Sequence, residues 1–175
     1  IDTHFIRNDR AYTLIDTAGM RRKGRIDDSV ERYGVYRALR AVERSSVCLF
    51  LIDASAGVVE QDQRIAGFVH ESGKGIIIVV NKWDLIETTE DTMRQYEENI
   101  RRQLAFLDYA PIVFVSALTK RRLPQLMDMV DYVAEQSCIR VSTGALNKLL
   151  HDALARVQPP SRRGVRFKAY YMVQT

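Results

Sequence analysis

Three polar clusters in this 175-residue chain each follow a short run of apolar character. Asp16-Thr17-Ala18-Gly19 follows Ala11–Ile15, Asn81-Lys82-Trp83-Asp84 follows Ile76–Val80, and Ser116-Ala117-Leu118 follows Ile112–Val115. Between them they offer carboxylates, an amide, a lysine cation, a hydroxyl and a glycine. A carboxylate accepts two neighbouring N–H donors as a charge-assisted pair. A glycine, having no Cβ, lets the backbone approach a ligand closely. In open α/β sheets ligands bind beyond the carboxyl ends of the strands, which is where these clusters fall. A polar turn is the plainer reading of any one cluster alone. Three in succession, each closing a strand, argue against coincidence. A fourth strand end, Asp53-Ala54-Ser55-Ala56-Gly57, reads as a turn or cap.

The elements that must position these residues are legible from periodicity. Val47–Ile52, Ile76–Val80 and Ile112–Val115 are near-continuous β-branched and aromatic runs, the pattern of strands buried on both faces of a parallel sheet. A helical pattern follows each one: about Glu60 to Glu71, about Thr89 to Asp108, and Leu123 to Val133. Strands alternating with helices predict βαβ units and an open doubly wound sheet. Thr3–Arg7 and Ala11–Asp16, around the turn Asn8-Asp9-Arg10, predict a β-hairpin. A helix is predicted over about Val30 to Glu43. Ser142 or Thr143 caps a further helix carrying Leu146, Leu149, Leu150 and Leu154, and Pro159-Pro160 ends it. Phe167–Val173 reads as a strand.

Composition narrows the function classes. Apolar residues make up 46% and charged residues 27%, a globular balance that excludes wholesale disorder. The net charge of +4 is unevenly placed. Residues 138–175 carry seven Lys and Arg against one acid, Asp152, whereas residues 1–137 are slightly acidic. A near-neutral body with a basic tail suggests two modules. Two cysteines, Cys48 and Cys138, make no disulfide framework, and a reducing cytoplasm is the expected compartment. His4, His70 and His151 are scattered, with no metal-ligand spacing. No apolar run approaches the length of a membrane span.

In chain order the three clusters resemble the DxxG, NKxD and SA(K/L) motifs of P-loop GTPases. The loop Asp16-Thr17-Ala18-Gly19-Met20-Arg21-Arg22-Lys23-Gly24-Arg25 and the junction Ser142–Asn147 resemble, more narrowly, the second GTPase domain of the Der (EngA) family of bacterial ribosome-assembly GTPases and the start of its KH-like domain. The resemblance implies a GTPase domain over residues 1–138 and a KH-like α+β domain beginning at 139. It also implies GTP or GDP with Mg²⁺, and a monovalent cation such as K⁺, as ligands. The large ribosomal subunit and its RNA, and a neighbouring GTPase domain of the same protein, are the implied partners.

By that resemblance Asp84 accepts the guanine N1–H and N2 amine, a donor pair that adenine lacks. Asn81 braces the loop and faces N7 and the neighbouring motif, while the stem of Lys82 lies along the purine with its ammonium near the ribose. Ser116, Ala117 and Leu118 close over the base, with the Ala117 N–H towards the guanine oxygen. Asp16 holds Mg²⁺ through a water. Thr17, Ala18, Gly19 and Met20 form the γ-phosphate loop, the Gly19 N–H meeting the phosphate. Met20 stands where many relatives carry a water-orienting Gln, so no catalytic side chain is assigned. Arg21, Arg22, Lys23 and Arg25 are candidate RNA or domain contacts, as are Arg162, Arg163, Arg166 and Lys168 with Tyr170 and Tyr171; a solvated charge run is the alternative for the first group, and packing on the GTPase domain for the second.

No G-x-x-x-x-G-K-[ST] loop occurs in these residues. The expectation is therefore a chain cut at both ends that does not hydrolyse GTP by itself. An Era-like GTPase with a KH domain is one rival reading. A non-catalytic RNA-binding assembly module with a vestigial guanine site is the other.

Overall fold

The computed structural model describes residues 2–17, 39–87, 89, 91–157, 159, 161–162 and 165–174. These fall into two compact units, Ile1–Ser137 and Cys138–Thr175. In the first unit, strands β1 (Asp2–Arg7) and β2 (Arg10–Ile15) form an antiparallel hairpin in register Arg7↔Arg10. Asn8 (φ 50°) and Asp9 (φ 60°) both sit in the left-handed region, which Asn and Asp tolerate and which matches the twist of a two-residue hairpin turn. Arg10 thus opens the strand rather than completing the turn.

Three parallel strands carry the core, in the order β3 (Val47–Asp53), β4 (Gly75–Asn81), β5 (Ile112–Phe114). Helix α1 (Glu60–Glu71) connects the first pair and α2 (Thr92–Gln103) the second. Helix α3 (Leu123–Ser137) follows β5. Side chains alternate across a strand, and β4 divides accordingly. Ile76, Ile78 and Val80 pack with Ala66 and Val69 of α1 and Ile100 of α2, whereas Ile77 and Val79 face Leu126, Val130 and Val133 of α3. Helices thus cover both faces, as the doubly wound reading requires. The hairpin forms a separate two-stranded sheet among the described residues.

Polar contacts fasten the hairpin to α3. Arg7 Nη2 donates to Asp128 Oδ1 at 2.6 Å, Arg10 Nη1 to Glu135 Oε1 at 2.9 Å, and the Tyr12 hydroxyl to Asp131 Oδ1 at 2.7 Å. The start of β4 leaves no room for a side chain, because a Cβ on Gly75 would lie 2.7 Å from Val133 Cγ1. Gly75→Ala is expected to destabilise the first unit by about 1–3 kcal/mol, the usual cost of overpacking. Denaturant unfolding checks this, and an unchanged midpoint would mean that α3 shifts freely.

Two sequence expectations need adjustment. The helical pattern over Thr89–Asp108 breaks at Leu104, and a 3₁₀ turn, Ala105–Leu107, follows. Arg101 Nη1 reaches past the break to hold the following turn, donating to Leu107 O at 3.0 Å and Ala110 O at 2.7 Å. The expected helix over Val30–Glu43 is described only for residues 39–44, which are helical; the rest lies outside the described residues.

In the second unit, Ser142 caps α4 (Thr143–Arg156) by accepting from the Ala145 N–H at 3.3 Å. Short strands β6 (Ser161–Arg162) and β7 (Val165–Arg166) pair antiparallel. Phe167–Val173, expected as a strand, joins no ladder among the described residues. At Met172 its backbone is bonded by a side chain instead. Asn147 accepts from the Met172 N–H at 2.9 Å and donates to Met172 O at 3.2 Å, and Gln174 bridges Val141 N and Ile139 O.

Candidate functional site

The carboxyl end of β4 turns sharply. Lys82 adopts a left-handed conformation (φ 62°, ψ 32°), and Trp83–Leu85 forms one 3₁₀ turn. The turn sorts its side chains by polarity. Trp83 is buried, its ring 4.5 Å from that of Phe114 and edge-on to Tyr96 at 5.3 Å, while Asp84 faces solvent. The Trp83 N–H donates to Val115 O at 3.0 Å, which pins the turn to the residue following β5. Trp83 is therefore the hydrophobic anchor that presents Asp84. Its place between two polar residues was the available sequence signal, and its anchoring role was missed.

A second loop meets the first. The Ala117 N–H donates to Asn81 Oδ1 at 3.0 Å, joining the β4 and β5 ends directly. Ser116 is buried, and its Oγ accepts from the Thr119 N–H at 3.1 Å. Its own N–H donates to Arg121 O at 3.2 Å, so residues 116–121 form a closed loop. Leu118 projects from that loop with 84% of its surface exposed. The Ala117 N–H, which the family resemblance directs at a base oxygen, is engaged with Asn81 here.

A third strand end adds a residue that the sequence reading treated as a turn. Asp53 closes β3 directly beside Asn81 in the parallel register. It does cap its turn, accepting from Ser55 N–H at 2.9 Å and Ser55 Oγ at 2.6 Å. It also binds Lys82 Nζ at 2.7 Å. Lys82 first and Ser55 second hold the Asp53 carboxyl well below the usual carboxylate range, against the opposing effect of partial burial.

The structure thus brings Asn81, Lys82, Asp84, Ser116, Ala117 and Leu118 together at one end of the parallel sheet. Asp16 and Thr17 follow the hairpin strand β2 and are exposed. Ala18, Gly19, Met20, Arg21, Arg22, Lys23 and Arg25 lie outside the described residues, as does Arg163; of Arg162 and Arg166 only the backbone is described. Lys168, Tyr170 and Tyr171 are exposed in the second unit.

Among the described residues no group of three or more His, Cys, Asp or Glu could hold a metal ion alone. Mg²⁺ does not require one. It is bound through one or two carboxylates plus substrate phosphates and water, a demand that the exposed carboxylate of Asp16 fits. No described helix is long and apolar enough to cross a membrane.

The family described as the elongation factor Tu GTP binding domain matches residues 2–136, and the KH-domain-like C-terminal domain of EngA bacterial GTPases matches residues 140–175. GTPase Der of Heliobacterium modesticaldum is 54% identical over all of this chain and 40% of its own length. GTPase Der of Pelotomaculum thermopropionicum is 53% identical over 99% of the chain and 40% of its own. The chain therefore spans about 40% of the length of these curated relatives. Among solved structures, Aquifex aeolicus Era bound to GDP·AlF4⁻ superposes with a TM-score of 0.61 at 28% identity, covering 71% of this chain and 40% of that one. Era in complex with MgGDPNP and a segment of 16S ribosomal RNA gives 0.60 at 26%, covering 74% and 42%.

Proposed function

The chain belongs to the family of the elongation factor Tu GTP binding domain and matches Der GTPases along its whole length, and on that premise we propose that the joined ends of β4 and β5 hold the guanine base of GTP and GDP. The observation that carries this reading is the Asn81–Ala117 hydrogen bond. It welds the two base-recognition loops into one rigid rim on which Asp84 stands exposed. The carboxylate accepts the paired N–H donors of guanine's N1 and N2. Adenine offers no such pair and leaves the carboxylate desolvated without partners. The stem of Lys82 supports the purine face, and Leu118 shields the base from water.

The full-length protein is a GTPase of ribosome assembly acting in the cytoplasm on the large subunit. Water attacks the γ-phosphorus, the bond to the β-phosphate oxygen breaks, and GDP and inorganic phosphate leave. Asp16 would hold Mg²⁺ through a water, and the ion when bound would supply neutralisation of the phosphate charge. The family resemblance assigns Thr17, Ala18, Gly19 and Met20 to the γ-phosphate, with the Gly19 N–H as donor. Met20 has no donor with which to orient water, so backbone groups, a bound cation such as K⁺ or a partner would supply that function. These 175 residues alone do not turn over GTP. Residues 1–138 form the GTPase domain and 139–175 open the KH-like domain. Arg21, Arg22, Lys23 and Arg25, and the basic segment Arg162, Arg163, Arg166 and Lys168 with exposed Tyr170 and Tyr171, contact RNA phosphates and bases or the neighbouring GTPase domain. The EngA-type match over 140–175 favours this reading over an Era-like one.

Titration of the full-length protein with fluorescent GDP and ADP tests the proposal. GDP is expected to bind at least ~10²-fold more tightly, since a site built around a required hydrogen bond rejects analogues lacking it. Equal affinities, or no binding of GDP, would sink it and favour the non-catalytic assembly module.

A further inference from the structure

We propose that Asp53 is a positioning residue of the base site, fixing the Lys82 side chain across the floor on which the purine lies. The inference rests on the guanine-site reading above and adds a residue from a third strand end. Three observations support it. First, the parallel register places Asp53 beside Asn81, so the carboxylate stands one residue from Lys82 whatever the loops do. Second, the two carboxylate oxygens are divided between two tasks. Oδ1 takes both the N–H and the hydroxyl of Ser55, and Oδ2 takes Lys82 Nζ at 2.7 Å. The carboxylate is thus locked by its own loop before it meets the lysine. Third, Lys82 is held at both ends. Its backbone is in the left-handed region, costly for a residue with a Cβ, and its ammonium is tied to Asp53.

Stability alone does not account for this arrangement. The lysine side chain is 54% exposed and that of Asp53 19%, so water screens the pair from the lysine end, and holding a long side chain costs freedom. What the pair does achieve is orientation. A lysine stem fixed at both ends is a rigid apolar strip, and a flat ring loses little additional freedom in settling on it. Pre-organisation of this kind strengthens binding by removing an ordering cost from the binding step. Asp53 touches no nucleotide in this account and acts through Lys82 alone.

A double-mutant cycle on the full-length protein tests the inference, with GDP affinity as the readout. Asp53→Asn is expected to weaken GDP binding by about 5–20-fold, and Lys82→Ala by at least as much. The double variant is expected to bind no more weakly than Lys82→Ala alone, because Asp53 has nothing left to position. Guanosine is expected to lose affinity by the same factor as GDP, since the stem supports the base rather than the phosphates. Additive losses would overturn the inference, as a purely structural role for Asp53 would persist in the Lys82→Ala background. An Asp53→Asn protein with unchanged GDP affinity would overturn it equally. Asp84→Asn in parallel separates the two levels of argument. If it abolishes guanine selectivity while the cycle shows no coupling, only the role of Asp53 falls; if it leaves GDP binding intact, the guanine site falls and this inference with it.

Discussion

Asp84→Asn in the full-length protein is expected to weaken GDP binding by about 10²–10³-fold while leaving the fold intact. Each hydrogen bond to a charged group is worth about 1.5–3 kcal/mol, and the substitution replaces an acceptor pair by one acceptor and one donor. The new amide donor opposes the guanine amine, so one favourable contact becomes a clash of donors. Xanthine carries a carbonyl in place of that amine and matches an acceptor beside a donor. The variant is therefore expected to prefer xanthosine diphosphate, as competition against labelled GDP would report. Folding should change by less than about 0.5 kcal/mol, because Asp84 lies at the exposed rim while Trp83 does the anchoring. Undiminished GDP affinity would show that the carboxylate does not read the base.

Ile78→Ala carries the largest expected effect on stability, about 2–5 kcal/mol. Ile78 is fully buried at the centre of β4, paired with Phe50 on one side and Ile112 on the other. Truncation leaves a cavity between the sheet and the two helices on that face, where close packing on both sides limits collapse. A lowered midpoint in denaturant, with GDP binding retained where the protein stays folded, is the expected pattern. A cost below about 1 kcal/mol would mean that the three-stranded sheet is not the centre of the core. The substitution also separates stability from recognition, since Ile78 lies on the strand that ends at Asn81 but contributes nothing to the site surface.

Much of this architecture was legible in local pattern. Glu60–Glu71 matched its helix because apolar residues recur there at helical spacing and Asp62 reaches back to the Val59 N–H at the helix start. A cap at Ser142 or Thr143 was legible for the same reason, and the structure uses Ser142, whose partner lies three residues away. Phe167–Val173 misled because β-branched and aromatic character describes a segment's preference but not whether a neighbouring strand is available. Among the described residues no strand pairs with it, and the Asn147 side chain bonds the Met172 N–H and C=O.

The sequence by itself determined the strand runs, the alternation with helices and the polar clusters at strand ends, because each is written within a window of a few residues. Only the tertiary structure decided which of those clusters touch. The Asn81–Ala117 bond spans 36 positions, the Asp53–Lys82 pair crosses from one strand end to the next, and Arg7 meets Asp128 across 121 positions. Such contacts follow from parallel register and helix placement, which depend on how the whole sheet packs. The residues suited to recognising a base were therefore visible in the chain, whereas the carboxylate that holds Lys82 in place became visible only once β3 and β4 lay side by side.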